Sequence, residues 1–151
     1  TTAEFSERYS GKVRINSAVL SKAASRSNLI AQQTPNTGPM TFTHTQAADE
    51  LSGKFRNLFY VPENGELAEG SRLLLTLGAT YDRDGNFSTT DDQAEVAYPV
   101  ELSGDGAGRF LRNGYYRVQA LIDGLTGSEL SVSISVADWE APVTQSVNLG
   151  Q

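Results

Sequence analysis

The densest potential chemistry in the chain lies in Asp82-Arg83-Asp84-Gly85-Asn86, followed by Asp91, Asp92 and Glu95. Closely spaced oxygen side chains are the hard ligands that Ca²⁺ takes, about six to eight at a time. On that reading Asp82, Asp84 and Asn86 are the candidate ligands. The spacing misses the EF-hand pattern, because Gly85 comes too early and no helices are predicted to flank the loop. Asp-Gly between alternating runs is explained by turn chemistry, since both residues tolerate positive φ. The favoured expectation is a two-residue hairpin turn at Asp84-Gly85, carrying solvated acids and no metal. Asn86-Phe87-Ser88 matches a glycosylation sequon, a pattern short enough to recur by chance.

Other reactive groups are sparse. His44 is the only histidine, so no Ser/His/Asp arrangement can be built around a sequence partner, and a polar, Thr-rich setting predicts an exposed loop position for it. Glu63 and Glu66 are a conceivable carboxylate pair for glycoside chemistry, although loop glutamates are ordinarily just solvated. Tyr60, Tyr81, Tyr98, Tyr115 and Tyr116 suggest a sugar platform, yet aromatics on strands more often serve cores and cross-strand pairs. The expectation is a protein without catalysis and without a cofactor.

The elements that would position these groups read as strands. In Arg112 to Trp139, Tyr116, Val118, Ala120 and Ile122 are interrupted by Arg117, Gln119 and Asp123. Leu130, Val132, Ile134 and Val136 alternate with Ser131, Ser133 and Ser135. A period of two places successive side chains on opposite faces of a sheet. The turn-rich Asp123 to Ser128 joins the two runs into an antiparallel hairpin. Further strands are expected over Gly11–Leu20, Leu29–Ala31, Met40–Thr43, Leu58–Val61, Arg72–Tyr81 and Ala94–Leu102. Gln32–Pro39, Thr89–Gln93 and Ser103–Gly108 read as loops or turns. Arg72–Tyr81 carries Leu73, Leu75, Leu77 and Ala79 on one face, and Leu74 adds apolar character to the other, which suits a central position. Thr45–Lys54 has at most one or two helical turns. Roughly eight strands with almost no helix make an all-β chain, resolving into a sandwich or a barrel.

Composition sets the outer bounds. A length of 151 residues suits one domain, and 38% apolar with 20% charged residues suits a globular one. The absence of cysteine excludes disulfides, thiolate metal sites and cysteine nucleophiles. No apolar run approaches the roughly 20 residues that span a bilayer, and Thr1 to Ser10 lacks a basic-then-apolar signal pattern. A net charge of −6 argues against a nucleic-acid partner. In the tail Ala141–Gln151, Val143, Val147 and Leu149 fall on one parity. That segment reads either as the domain's own last strand or as a strand that pairs with another subunit. The expected division is a domain over 1–140 and a terminal strand over 141–151.

Several motifs in order resemble the C-terminal domain of fimbrillins, the subunits of type V pili on anaerobic Gram-negative bacteria. They are KVRINSAVL from Lys12, Phe59-Tyr60-Val61-Pro62-Glu63-Asn64, Tyr98-Pro99 and Leu111-Arg112-Asn113. Tyr116-Arg117-Val118, Ile122-Asp123-Gly124 and Val136-Ala137-Asp138-Trp139 complete the series. The resemblance implies a transthyretin-like, antiparallel Greek-key β-sandwich, with the chain's length fitting one of that family's two domains. It implies export as a lipoprotein to the outer membrane and a structural role in a fimbrium that serves adhesion. It also implies other pilus subunits as partners, joined by donor-strand exchange. Ala141 to Leu149 would be the donor strand, with Val143, Val147 and Leu149 filling apolar pockets. The alternative function is a surface module that binds glycans or host ligands through its tyrosines and acidic loop.

Overall fold

The computed structural model describes residues 1–26, 40–45, 59–125, 130–138 and 141–148. The expectations for Leu29–Ala31, Gln32–Pro39, the helical turns after Thr45, Trp139 and Leu149 lie outside them. The fold is all-β. Its elements are α1 (Ala3–Arg8), β1 (Lys12–Ala23), β2 (Met40–Thr45), β3 (Leu74–Asp82), β4 (Gln93–Glu101), β5 (Tyr115–Ile122), β6 (Leu130–Asp138) and β7 (Ala141–Asn148). Two antiparallel sheets form, one in the order β2-β1-β3-β4 and the other in the order β5-β6-β7. Among the described residues no helix is long and apolar enough to cross a membrane.

Alternation decides which faces meet. Leu75, Leu77 and Ala79 of β3 are buried, as are Ala18 and Leu20 of β1 and Tyr98 of β4. From the second sheet Ile122 joins this cluster, with Tyr116, Val118 and Ala120 packed against it. The intervening Tyr115, Arg117, Gln119 and Leu121 are exposed. The ladder sets Leu130, Val132, Ile134 and Val136 opposite the inward residues of β5, and Ser131, Ser133 and Ser135 opposite the outward ones. The antiparallel pairing expected of the two runs is thus present, with 126–129 of the connection outside the described residues. β3 is flanked by β1 and β4, and it sets Leu75, Leu77 and Ala79 in the core, while Leu74, Thr76, Gly78, Thr80 and Asp82 lie on its other face. Tyr98, fully buried, donates its hydroxyl to the Gly124 carbonyl at 2.9 Å. This bond ties β4 to the connection leaving β5.

The helix α1 has no forewarning in the sequence, since six residues are too few to display a helical period. Thr2 caps it by accepting from the Phe5 N–H at 3.3 Å. The Thr2 N–H donates to the Ile122 carbonyl at 3.0 Å. Phe5 is thereby set into the core against Tyr9 and Tyr81, at 4.9 and 6.4 Å between ring centroids. One short turn closes an end of the core between the two sheets.

Two strand-level expectations are corrected. Phe59 to Val61 is irregular and not a strand. Its half-buried Phe59 and Val61 pack on the core from a loop, and Pro62 removes the donor a continuing ladder needs. Asp84-Gly85 is not a two-residue hairpin turn either. The ladder closes at Asp82 opposite Gln93, so the whole of 83–92 forms the connection. Phe87 therefore lies in the loop, with the Arg14 guanidinium 4.6 Å above its ring. Asp84 and Asn86 hold that loop open by hydrogen bonding to backbone, which a tight turn has no room for.

Candidate functional site

The β3–β4 loop is built outward from Asp82, a carboxylate with no exposed surface at the last position of the central strand. Burying a charge demands hydrogen bonds to its oxygens. One oxygen accepts from the Asn86 N–H at 2.9 Å and the other from the Gln93 amide at 2.9 Å. Gln93 also donates to the Thr89 carbonyl at 2.6 Å, so one amide staples the loop to the strand end. Asp84 accepts from the same Asn86 N–H at 2.7 Å, and Asp92 accepts from the Asp84 N–H at 3.1 Å. The result brings Asp82, Asp84 and Asp92 together, with ligand oxygens within 4.8 Å of one another.

Proton affinity splits across the pair. Burial works to raise the Asp82 pKa, but hydrogen bonds from Gln93, Asp84 and the Asn86 and Gly85 backbone outweigh it and hold Asp82 below the usual carboxylate value. For Asp84 the Asn86 N–H pulls downward. The shared hydrogen bond with Asp82, partial desolvation and the charges of Asp92 and Asp82 prevail, and its pKa is raised. Asp84 is the group that takes a proton first.

Of the three sequence candidates for a cation, Asp82 and Asp84 do converge. The Asn86 side chain does not join them, since its oxygen accepts from the Ser88 N–H at 3.3 Å. Asp92 supplies the third carboxylate, and one of its oxygens is buried without a hydrogen-bond partner. Such a set provides part of the oxygen shell that a hard divalent ion takes. Its arrangement is equally accounted for by the hydrogen bonds that close the loop.

The other candidates are dispersed. Glu63 is buried and ion-paired to Arg112, whereas the exposed Glu66 lies 3.7 Å from Arg109. Each carboxylate thus lies beside a different guanidinium, with Arg109 also held by Asp105 at 2.6 Å, and ion pairing accounts for both without glycoside chemistry. Burial of Glu63 departs from the solvated position expected for it, and Arg112 is the reason. Among the tyrosines, Tyr98 is fully buried. Tyr81 packs on Phe5 and Tyr9, and Tyr116 packs at a tilt on Phe110 with ring centroids 4.6 Å apart. Tyr60 and Tyr115 keep exposed rings, so the five do not line one platform. His44 sits on β2 opposite Ala18, not in a loop.

Sequence reasoning did not foresee that separate motif pieces interlock. The Asn64 N–H donates to the Phe110 carbonyl at 3.1 Å, and its amide donates to the Gly65 and Gly108 carbonyls at 2.8 and 2.6 Å. The Leu111 N–H donates to the Tyr116 hydroxyl at 2.7 Å. With Glu63 on Arg112, residues 63–64 are locked to residues 108–112, and Tyr116 is tied to Leu111 across the Asn113-Gly114 turn. Spacing along the chain carries no signal for such pairings, because the partners lie far apart in sequence.

The terminal strand is the remaining candidate. β7 pairs with β6 in the chain's own second sheet, with Val147 opposite Ile134 and Ser146 opposite Ser135. Among the described residues it is the last element, it occupies a sheet edge, and β6 is its ladder partner. Within the single chain the tail is thus seated as a strand of the chain's own sheet. A donor role therefore requires β7 to leave β6. No family model, curated protein or solved structure matches the chain.

Proposed function

We propose that the chain is a non-catalytic structural subunit of a bacterial cell-surface pilus, exported to the outer membrane, that assembles head to tail by exchanging its last strand and contributes to adhesion. Within this reading the two sheets form a Greek-key sandwich of the transthyretin-like kind, and the partners are further pilus subunits. The observation that carries the proposal is the placement of β7. As a terminal edge strand paired, among the described residues, to β6 alone, it can detach without opening any other described ladder. Detachment leaves the β6 edge with unpaired N–H and C=O groups, a template for another strand. The β7 of the next subunit is a chemically matched occupant. Main-chain hydrogen bonds supply affinity, and Val143, Val147 and Leu149 supply an apolar side. Because donor and acceptor are different parts of the molecule, the contact does not close on itself and propagates.

The test is assembly of a Val147→Asp, Leu149→Asp double variant, followed by size-exclusion chromatography and electron microscopy. The proposal expects β-rich monomers by circular dichroism and no polymer. Polymers of normal length from this variant would refute it.

A further inference from the structure

The sequence holds two Asn-Gly dipeptides, Asn64-Gly65 and Asn113-Gly114, and the fold places them in opposite environments. Asn-Gly is chemically unstable because glycine, lacking Cβ, lets its own amide nitrogen approach the preceding side-chain carbonyl. Asn64 is buried, and its backbone N–H and side-chain amide are held by three carbonyls. Asn113 is exposed, at the third position of the Leu111–Gly114 turn. Its φ of 59° is one that Asn tolerates better than most residues. No hydrogen bond fixes its side-chain amide among the described residues. The attacking nitrogen is held by a 3.2 Å bond from the Gly114 N–H to the Leu111 carbonyl, with the Tyr116 ring packed beside Gly114. That bond sits in an exposed turn, where opening is local and cheap.

We infer that Asn113 is a site of spontaneous deamidation in the folded protein, whereas Asn64 is protected by the lock around it. The Gly114 amide nitrogen attacks Cγ of Asn113, forming a C–N bond. The side-chain nitrogen leaves as ammonia, carrying the proton that the amide gives up. Water then opens the resulting succinimide at either carbonyl, giving aspartate or isoaspartate. No oxidant or cofactor enters the balance. Either product adds a carboxylate next to Arg112, and isoaspartate lengthens the turn backbone by one methylene.

The test is incubation of the full chain at mildly alkaline pH, native and in urea, with tryptic mass spectrometry over time. Trypsin separates the two sites, since cleavage after Arg112 releases a peptide that begins at Asn113, and cleavage after Arg56 and Arg72 brackets Asn64. The native protein should deamidate at Asn113 at least about tenfold faster than at Asn64, the difference reflecting local against wider opening. In urea both should convert at similar rates. An Asn113→Gly variant, whose backbone suits the same φ, should lose the signal from that peptide. Equal native rates at the two sites, or no native conversion at Asn113 while both convert in urea, would overturn the inference.

Discussion

Replacing Tyr98 by Phe should destabilise the protein by about 2 kcal/mol, through one atom. Tyr98 has no exposed surface, and its ring lies in the cluster shared by both sheets. Phe keeps that ring, so no large cavity opens. What is lost is the 2.9 Å bond to the Gly124 carbonyl. Gly124 is itself buried, so the acceptor is left away from water. A buried polar group deprived of its partner costs roughly 1–3 kcal/mol, more than the net worth of an average hydrogen bond. For a chain of this size each kcal/mol shifts the melting temperature by about 2–4 °C. The expected fall is therefore about 6 °C, read by differential scanning calorimetry with urea denaturation alongside. Tyr98→Ala should cost more, about 3–5 kcal/mol, because an aromatic-sized cavity is added. Tyr60→Phe is the control, since Tyr60 is 78% exposed, and it should leave stability unchanged. If Tyr98→Phe melts with the wild type, the bond between β4 and the β5–β6 connection does not join the sheets as argued.

Four further outcomes rest on other parts of the fold. Asp84→Asn should raise the melting temperature at neutral pH, because it removes a charge facing Asp82 and Asp92 while keeping an acceptor for the Asn86 N–H. In the wild type, acidification should first stabilise and then destabilise. Asp84, raised in the folded state, gains a proton early, and its favourable contribution is full below its unfolded pKa and lost as pH rises through its folded one. Asp82, lowered in the folded state, contributes above its unfolded pKa and loses that contribution as pH falls through its folded one. A pH series of melting curves reads both, and a monotonic acid loss would contradict the pairing. Gly104→Ala should destabilise by more than about 1 kcal/mol in urea titrations, because φ is +57° and an added Cβ collides with the Arg109 carbonyl. In native hydrogen exchange, β7 amides should exchange before those of β3, since β3 is paired on both sides and β7 on one.

Alternation made the strands legible wherever one face was buried. β1, β3, β4, β5 and β6 all stand close to where the period of two puts them, because that period is a direct consequence of burial on one side. What escaped lies where tertiary contacts override local pattern. The six residues of α1 are helical because Phe5 finds the core and Thr2 caps the turn. Phe59 to Val61 reads as a strand by composition, yet it is held as a loop next to the Asn64–Phe110 bridge. Asp84-Gly85 has the residues of a hairpin turn, yet Gln93 and Asn86 anchor Asp82 and open a wider loop. The site was legible in the same measure. Asp82 and Asp84 stood out by type and spacing. Asp92 as the third carboxylate, and Arg112 as the partner of Glu63, depended on long-range folding that no local spacing encodes.

The account rests on β7 being exchangeable, and a reversible lock tests that directly. The chain has no cysteine, so Ser135→Cys with Ser146→Cys introduces one defined pair at directly opposed ladder positions. Opposed antiparallel residues have Cα atoms about 4.5–5.5 Å apart, within the range a disulfide spans. Assembly would be followed by light scattering under oxidising conditions and again after reduction. The account predicts that the oxidised variant stays monomeric and that reduction restores polymer growth to the wild-type level. Polymers that form while β7 is locked to its own β6 would contradict it.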